Sequence, residues 1–386
     1  MSKSLDTNNR KNGSGFASII IVIFYMLYLI KIKYGSFYYI SSVTSIFMII
    51  IGISSLLLII LFEKIPKKVT VISLLFAYIL FSFLSSLYTE NYRFQDYFLL
   101  LQYMGVGLLL IKFRLNNKII RTSFYIHTLF FVLLILLGTH PNDVFTVSRN
   151  NISSIMIIQC SLLYMSDKQM DNKIKILPSI ILFIISIWAI GRSGIISAIV
   201  LLVGIILINQ NSSKHKFFKA FSLTIFLSSF YLVAINFLYD SIFKNAVERE
   251  SNQTLLDPAR TMIIEEYLKK ASESFYNLIL GFHIKDNFVF SIFSYNLHNA
   301  YLRLHSLSGL GGVLIFIILI VRAAFMYFKD KNYILLLLLV VIILRMSTDI
   351  LAFHGPFDPL IYYLTLNNFT GKKNTYNHHL KRGELK

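Results

Sequence analysis

Long uninterrupted runs of apolar residues constrain this chain more than any other feature. In 16–30, 69–88 and 334–344 polar residues do not recur at the spacing of an amphipathic helix or strand. A helix that crosses a membrane needs about 20 mostly apolar residues. Only 15% of the residues are charged, whereas soluble domains carry about 25%. The runs therefore predict an all-α polytopic membrane protein, because a transmembrane β-barrel would show short alternating segments instead.

About twelve such spans are predicted, with one long hydrophilic loop between the ninth and the tenth. Nine spans fall in 1–239, the loop covers 240–298, three further spans fall in 299–371, and 372–386 is a tail. The spans are expected near 16–30, 37–62, 69–88, 97–111, 122–138, 151–166, 176–190, 194–208, 218–239, 306–328, 333–350 and 357–369.

The basic residues are unevenly distributed between the two sides that these spans define. If the N-terminus is inside, the inside segments hold about two thirds of the lysines and arginines but about one third of the acids. Cytoplasmic loops collect lysine and arginine. The formal net charge of +18 therefore indicates orientation rather than a nucleic-acid partner. It predicts a multi-pass membrane protein with both termini in the cytoplasm and the 240–298 loop outside.

The apolar stretch 178–208 tests the number of spans. As one helix it would be about 45 Å long, which exceeds the hydrocarbon core of about 30 Å. The sequence Gly191-Arg192-Ser193-Gly194 interrupts it, and basic segments flank it on both sides. We therefore expect a hairpin of two helices with Arg192 at its outer turn.

The outer loop is predicted to contain an amphipathic helix. Asp257 is a suitable N-cap, and Pro258 follows at the first helical position. Apolar residues then recur every four positions at Ile263, Tyr267, Ala271 and Phe275, with charged residues between them. Gly281 is the expected end of the helix. Such a helix lies on a membrane surface or over a cavity.

Arginines and histidines near the outer helix ends are the candidates for chemistry. They are Arg149, Arg192, Arg260, His298, Arg303 and His305. Guanidinium groups match phosphate oxygens bidentately and keep their charge, so several around one cavity would suit a pyrophosphate. The alternatives are that Arg149, Arg192 and Arg303 reach to lipid headgroups, that Arg260 pairs with a nearby glutamate, and that the histidines are structural. Phosphate-loop, dinucleotide and zinc motifs are not found, and Asp349 and Asp358 are isolated in the sequence, so no metal or cofactor is expected.

The sequence around His298 resembles a known family. His298-Asn299 is followed after nine residues by Gly309 and Gly312, as in the His-(Asn/Ser)-x9-Gly-x-x-Gly pattern of the superfamily of Wzy-type O-antigen polymerases and O-antigen ligases. An Arg-Asn-Asn step at 149–151, the Gly-Arg-Ser-Gly turn and an outer loop with Arg260 and Gly281 occur in the same order. The motifs cover roughly 140 to 325.

The resemblance implies a membrane glycosyltransferase of the GT-C type that needs no metal. Its donor and acceptor would be oligosaccharides linked to undecaprenyl pyrophosphate, used at the outer face of the cytoplasmic membrane for lipopolysaccharide or capsule synthesis. By motif, His298 would activate the acceptor hydroxyl, and Arg192 and Arg260, with Arg149, would bind the pyrophosphate. Asn299, Arg303 and His305 would support the site. Membrane lipid and a chain-length regulator protein are further expected partners.

Three functions stay open at this point. A polymerase would transfer a growing glycan to another lipid-linked repeat unit, whereas a ligase would transfer it to lipid A core or to protein. A polysaccharide flippase or secondary transporter is the alternative of another class, since many spans with both termini inside fit it as well. A transporter is disfavoured, because transporters often show repeated halves and broken midplane helices, which this sequence does not display. Between the two enzymes we favour the polymerase, because polymerases of this superfamily vary greatly in sequence and this chain offers little to recognise outside the motifs.

Overall fold

The computed structural model of the protein describes residues 2–62, 68–89, 94–146, 148–211, 258–293 and 295–367. Within these ranges the regular structure is entirely helical. The α-helices are α1 Ser2–Lys33, α2 Tyr38–Phe62, α3 Lys68–Tyr88, α4 Phe94–Lys112, α5 Asn117–Leu136, α6 Asn150–Gln169, α7 Leu177–Trp188, α8 Arg192–Asn211, α9 Pro258–Ser272, α10 Phe275–Leu280, α11 Phe288–Ile292, α12 Ala300–Lys329, α13 Tyr333–Met346 and α14 Asp358–Leu366.

Five of the described helices, α1, α2, α5, α8 and α12, are long and apolar enough to cross a membrane. The fold is therefore that of a helical membrane protein, as the apolar runs predict. Each predicted span between 16 and 208, and each after 300, coincides with a helix. The span at 218–239 lies outside the described residues, and several helices are short: α7 has 12 residues and α13 has 14. The number of about twelve crossings stays a prediction.

Helix α6 lies at the centre of the bundle. Its residues from Asn151 to Asp167 are buried without interruption, although they include serine, glutamine and asparagine side chains. Polar side chains are tolerated there because they bond within the bundle: Gln159 Oε1 accepts a hydrogen bond of 3.0 Å from Ser123 of α5. The polar content of α6 thus reflects contact with protein on all sides rather than with lipid.

One end of the bundle contains the connections from α4 to α5, from α6 to α7 and from α12 to α13, and it is named here the lysine end. Asp167 Oδ1 accepts a hydrogen bond of 2.7 Å from Asn117 Nδ2 and one of 2.9 Å from Arg121 Nη2. Gln169 joins Leu115 to Tyr363 of α14. The basic residues in and beside these connections are Lys112, Arg114, Lys118, Arg121, Lys168, Lys173, Lys175, Lys329 and Lys331.

The opposite end, named the loop end, begins with the break between α7 and α8. Helix α7 ends at Trp188, Ile190 adopts a left-handed φ of 53°, and α8 starts at Arg192. A side chain at Gly191 would meet Asn150 Oδ1 at 2.9 Å, which places this turn against the start of α6. Because α7 and α8 are separate helices that pack against each other, the predicted break is confirmed.

Three short helices, α9 to α11, cover α12 at the loop end. Helix α9 starts at Pro258 as predicted, while Asp257 lies outside the described residues. The predicted single helix is wrong: α9 ends at Ser272, Ser274 caps a new helix, and Phe275 is 73% exposed rather than on the buried face. Gly281 ends α10 with φ of 82°, as expected. A small separate core holds these helices together, and it consists of Ile263, Tyr267, Ala271, Phe282, Phe290 and Leu297.

Two glycines allow α10 to cross α12 at close range. Gly309 breaks α12 with φ of 59° and ψ of −168°, a conformation that in practice only glycine adopts. A Cβ atom at Gly309 would lie 2.2 Å from the carbonyl oxygen of Ile279, and one at Gly281 would lie 2.6 Å from that of His305. The first glycine of the Gly-x-x-Gly motif, Gly309, therefore has a structural reason in this fold, which is the close backbone contact between α10 and α12.

Candidate functional site

An ion pair between a fully buried arginine and a partly exposed aspartate lies beneath the start of α6 at the loop end. Arg345 is 0% exposed, and its Nη2 atom is 3.4 Å from Asp349 Oδ2. The same nitrogen donates to the carbonyl of Asn150 at 3.3 Å and to Ser154 Oγ at 3.2 Å, while Nη1 donates to Thr348 Oγ1. Asn150 Nδ2 in turn donates to Asp349 at 3.4 Å. The pair thus ties the end of α13 to the start of α6.

The three predicted phosphate-binding arginines lie at the starts of three helices near this pair. Arg149 directly precedes α6, and Arg192 begins α8, whose neighbouring Gly191 lies against Asn150. Arg260 is in the first turn of α9, close enough to Arg345 for the two charges to repel each other. Helix N-termini add partial positive charge. We call Arg149, Arg192, Arg260 and Arg345 with Asp349 the arginine centre.

The predicted base, His298, lies next to the arginine centre. It precedes α12 with a left-handed φ of 47°, is half-buried, and its backbone N–H donates to Asn296 Oδ1. Asn299 caps α12 and donates from Nδ2 to the carbonyl of Ser347 at 3.2 Å. Since Ser347 lies between Arg345 and Asp349 in the chain, this bond holds the His298-Asn299 step beside the ion pair.

The two remaining predicted residues point elsewhere. His305 uses both ring nitrogens: Nδ1 pairs with Tyr267 Oη and Nε2 with the carbonyl of Leu278, each at 2.8 Å. It thereby joins α9 and α10 to α12. Arg303 is half-buried, and its charge interacts with those of Asp96 and Asp358. His305 is thus part of a structural contact, and Arg303 belongs to a second polar region.

That second region contains a small, partly open cleft between α3, α4, α12 and the connection from α13 to α14. Its walls carry hydroxyl groups, one carboxylate and one imidazole, and we name it the hydroxyl cleft. The lining residues are Ser82, Ser85, Ser86, Thr89, Asp96, Tyr97, Leu100, Ser306, Leu307 and His354.

His354 reaches the cleft because Asp358 fixes the backbone around it. The Asp358 carboxylate accepts three successive backbone N–H groups, from Phe353 at 2.7 Å, His354 at 2.7 Å and Gly355 at 3.0 Å. Phe353 and His354 have φ of 56° and 73°, values that cost energy in residues with side chains. Burial, together with the charge of Arg303, lowers the pKa of His354 to about 3, so its ring is neutral at physiological pH.

Two tyrosines on α1 join the arginine centre to the hydroxyl cleft. Tyr28 donates to Asn151 Oδ1 at 3.4 Å, beside the ion pair. Tyr25, one turn earlier, donates to the carbonyl of Pro356 at 3.2 Å, within the turn that carries His354. The two regions therefore lie next to each other across a single helix turn.

Sequence reasoning missed several residues of both regions. Asp349 and Asp358 are not isolated: one pairs with Arg345 and the other holds a backbone turn. The spacing of Arg345 and Asp349, four residues apart at the end of an apolar run, is a signal that could have identified the pair. For His354 and Asp358 no such signal exists, because their arrangement depends on a non-helical turn.

Among the residues with described positions, no group of three His, Cys, Asp or Glu side chains is arranged to hold a metal ion. No protein-family model matches the sequence, and no curated protein sequence matches it significantly.

Proposed function

We propose that this protein is a metal-independent polysaccharide polymerase of the bacterial cytoplasmic membrane. It would transfer an oligosaccharide from undecaprenyl pyrophosphate to another lipid-linked repeat unit at the outer face. The observation that supports this proposal is the arginine centre, in which Arg149, Arg192 and Arg260, at the starts of α6, α8 and α9, lie near the Arg345–Asp349 pair.

The charge of the arginine centre suits a pyrophosphate leaving group. One guanidinium group, that of Arg345, pairs with the single carboxylate, and the other three arginines stand at helix N-termini, where anions bind. When the bond between the anomeric carbon and the pyrophosphate breaks, negative charge develops on the leaving oxygen. Cations that are already in place stabilise that charge without reorganisation. The bonds between Arg345, Asn150 and Asp349 keep the centre rigid.

His298 is the proposed general base. An acceptor hydroxyl oxygen attacks the anomeric carbon, its proton passes to the His298 ring, and the pyrophosphate leaves with the electron pair of the broken bond. The Asn299–Ser347 bond holds this histidine beside the arginine centre. No oxidant or metal is required, because the lipid carrier already activates the sugar.

The orientation follows from the charges at the opposite end. The lysine end carries the basic residues of three connections, and such residues stay in the cytoplasm. The loop end, with the arginine centre, would then face outward, where lipid-linked repeat units are polymerised.

The test is the length distribution of the surface glycan in cells that carry single variants. We expect His298→Ala and Arg260→Ala to abolish polymer while the amount of protein in the membrane stays normal. The matched control is Lys269→Ala, which removes an exposed cation from the same helix as Arg260. It should leave the glycan length unchanged.

The same strains distinguish polymerase from ligase. Loss of a polymerase leaves single repeat units on the acceptor or no polymer, whereas loss of a ligase leaves long glycan on the lipid carrier. Normal glycan length in both the His298 and the Arg260 variants would refute the assignment of the site.

A further inference from the structure

The hydroxyl cleft contains polar atoms that the described part of the protein leaves without hydrogen-bond partners. Ser85 is only 1% exposed, and its hydroxyl bonds to nothing. Both ring nitrogens of His354 are also buried without a partner. A buried polar group without a partner costs about 1–3 kcal/mol. Several around one cleft can have their hydrogen bonds completed by water or by a ligand that replaces it.

The lining of the cleft limits the chemistry of that ligand. An anion is disfavoured because Asp96 lies in the wall, and the nearby Arg303 already interacts with Asp96 and Asp358. A purely apolar ligand would leave the serine and histidine groups unpaired. A neutral molecule with many hydroxyl groups would donate to Asp96 and His354 and exchange hydrogen bonds with the serines.

We infer that the hydroxyl cleft is a saccharide-binding subsite, in which His354 and Asp96 bind sugar hydroxyl groups. That the bound saccharide is the acceptor repeat unit rests on the proposed function, whereas saccharide binding itself does not. Along α12, about 10 Å of helix rise separates Asn299, beside the arginine centre, from Ser306, in the wall of the cleft. An oligosaccharide bound in the cleft can therefore extend to His298.

Asp358 is a positioning residue in this subsite. It does not touch the ligand, but its carboxylate holds three N–H groups of the turn that points His354 into the cleft. Without that carboxylate, no hydrogen bonds would offset the energetic cost of the left-handed conformations of Phe353 and His354.

Protection of an introduced thiol from labelling tests the subsite without any assay of catalysis. Cys160 is the one cysteine of the sequence and can be replaced by alanine. Ser86→Cys then places a thiol in the wall of the cleft, and Ser306→Cys serves if that variant does not fold. Ser272→Cys, exposed on α9 at the same end of the bundle, is the matched control.

The purified full chain in lipid nanodiscs is labelled with a small charged thiol reagent. The added ligand is the repeat-unit oligosaccharide released by mild acid from the cells that make it, or the same unit still linked to its lipid. Sorbitol at equal concentration controls for unspecific effects. We expect either oligosaccharide to slow labelling of Ser86→Cys by at least tenfold, with no effect on Ser272→Cys. Addition of His354→Phe should raise the half-protecting concentration about tenfold.

The two forms of ligand give distinct results. Protection by the free oligosaccharide supports a site that recognises sugar alone, and protection by the lipid-linked form only supports the acceptor subsite. If neither form slows the labelling of Ser86→Cys or Ser306→Cys, the inference is refuted. If protection is found but His298→Ala cells make normal polymer, the subsite stands and the proposed function fails.

Discussion

The arginine centre and the hydroxyl cleft are neighbours, but their polar groups are used differently. In the arginine centre the two Nη atoms of Arg345 donate to a carboxylate, a backbone carbonyl and two hydroxyls, and its Nε atom alone has no partner among the described residues. In the hydroxyl cleft the Ser85 hydroxyl and both ring nitrogens of His354 find no hydrogen-bond partner in the described part of the chain. Polar groups that bond to each other stabilise the fold, whereas unpartnered ones cost stability and are retained where a ligand binds. The arginine centre is therefore called the frame below, because its bonds stabilise the fold, and the hydroxyl cleft is called the recognition surface.

The largest expected effect tests the frame. Arg345→Met removes a fully buried cation and leaves Asp349 without its counter-ion, which should lower the free energy of unfolding by about 3–5 kcal/mol. Unfolding of the purified protein by SDS in mixed micelles, followed by circular dichroism, measures this loss. The double variant Arg345→Met/Asp349→Leu should recover part of it, because no buried charge is left unpaired. A double variant as unstable as the sum of both single changes would show that the pair is not a unit.

The starts of helices explain which part of the arginine centre could be predicted from the sequence. Arg149, Arg192 and Arg260 stand where apolar or amphipathic patterns begin, so periodicity alone places them at helix ends. Their gathering depends on which helices pack together. Contacts such as that of Gly191 with Asn150 join segments about 40 residues apart, and local patterns do not encode them.

The hydroxyl cleft was not predictable by the same reasoning. Its serines on α3 look like ordinary polar residues of a membrane helix, and His354 lies in a turn built on two left-handed residues that are not glycine. Such conformations are rare enough that no pattern predicts them. Likewise, the predicted loop helix continued through Phe275 because its apolar spacing persists, but the cap at Ser274 starts a new helix there.

The second prediction concerns the turn that presents His354. Asp358→Asn keeps one oxygen but loses the charge that binds three N–H groups, and should cost about 1.5–3 kcal/mol of stability. It should also weaken saccharide protection of Ser86→Cys, since His354 would no longer be held towards the cleft. Asp330→Asn, an exposed carboxylate at the lysine end, is the control and should change neither quantity. Loss of stability with full protection would assign Asp358 to the frame alone.

The smallest expected effect compares the two regions most directly, through one serine from each. Ser154 accepts a bond from Arg345 and donates to the carbonyl of Asn150, so Ser154→Ala should cost about 1 kcal/mol. Ser85 is buried and bonds to no described group, so Ser85→Ala should cost no stability and should raise it by about 1 kcal/mol. In the labelling assay the order reverses: Ser85→Ala should weaken saccharide protection of Ser86→Cys, and Ser154→Ala should not. If Ser85→Ala is the more destabilising variant and protection is unchanged, its hydroxyl serves the fold, and the division between frame and recognition surface is wrong.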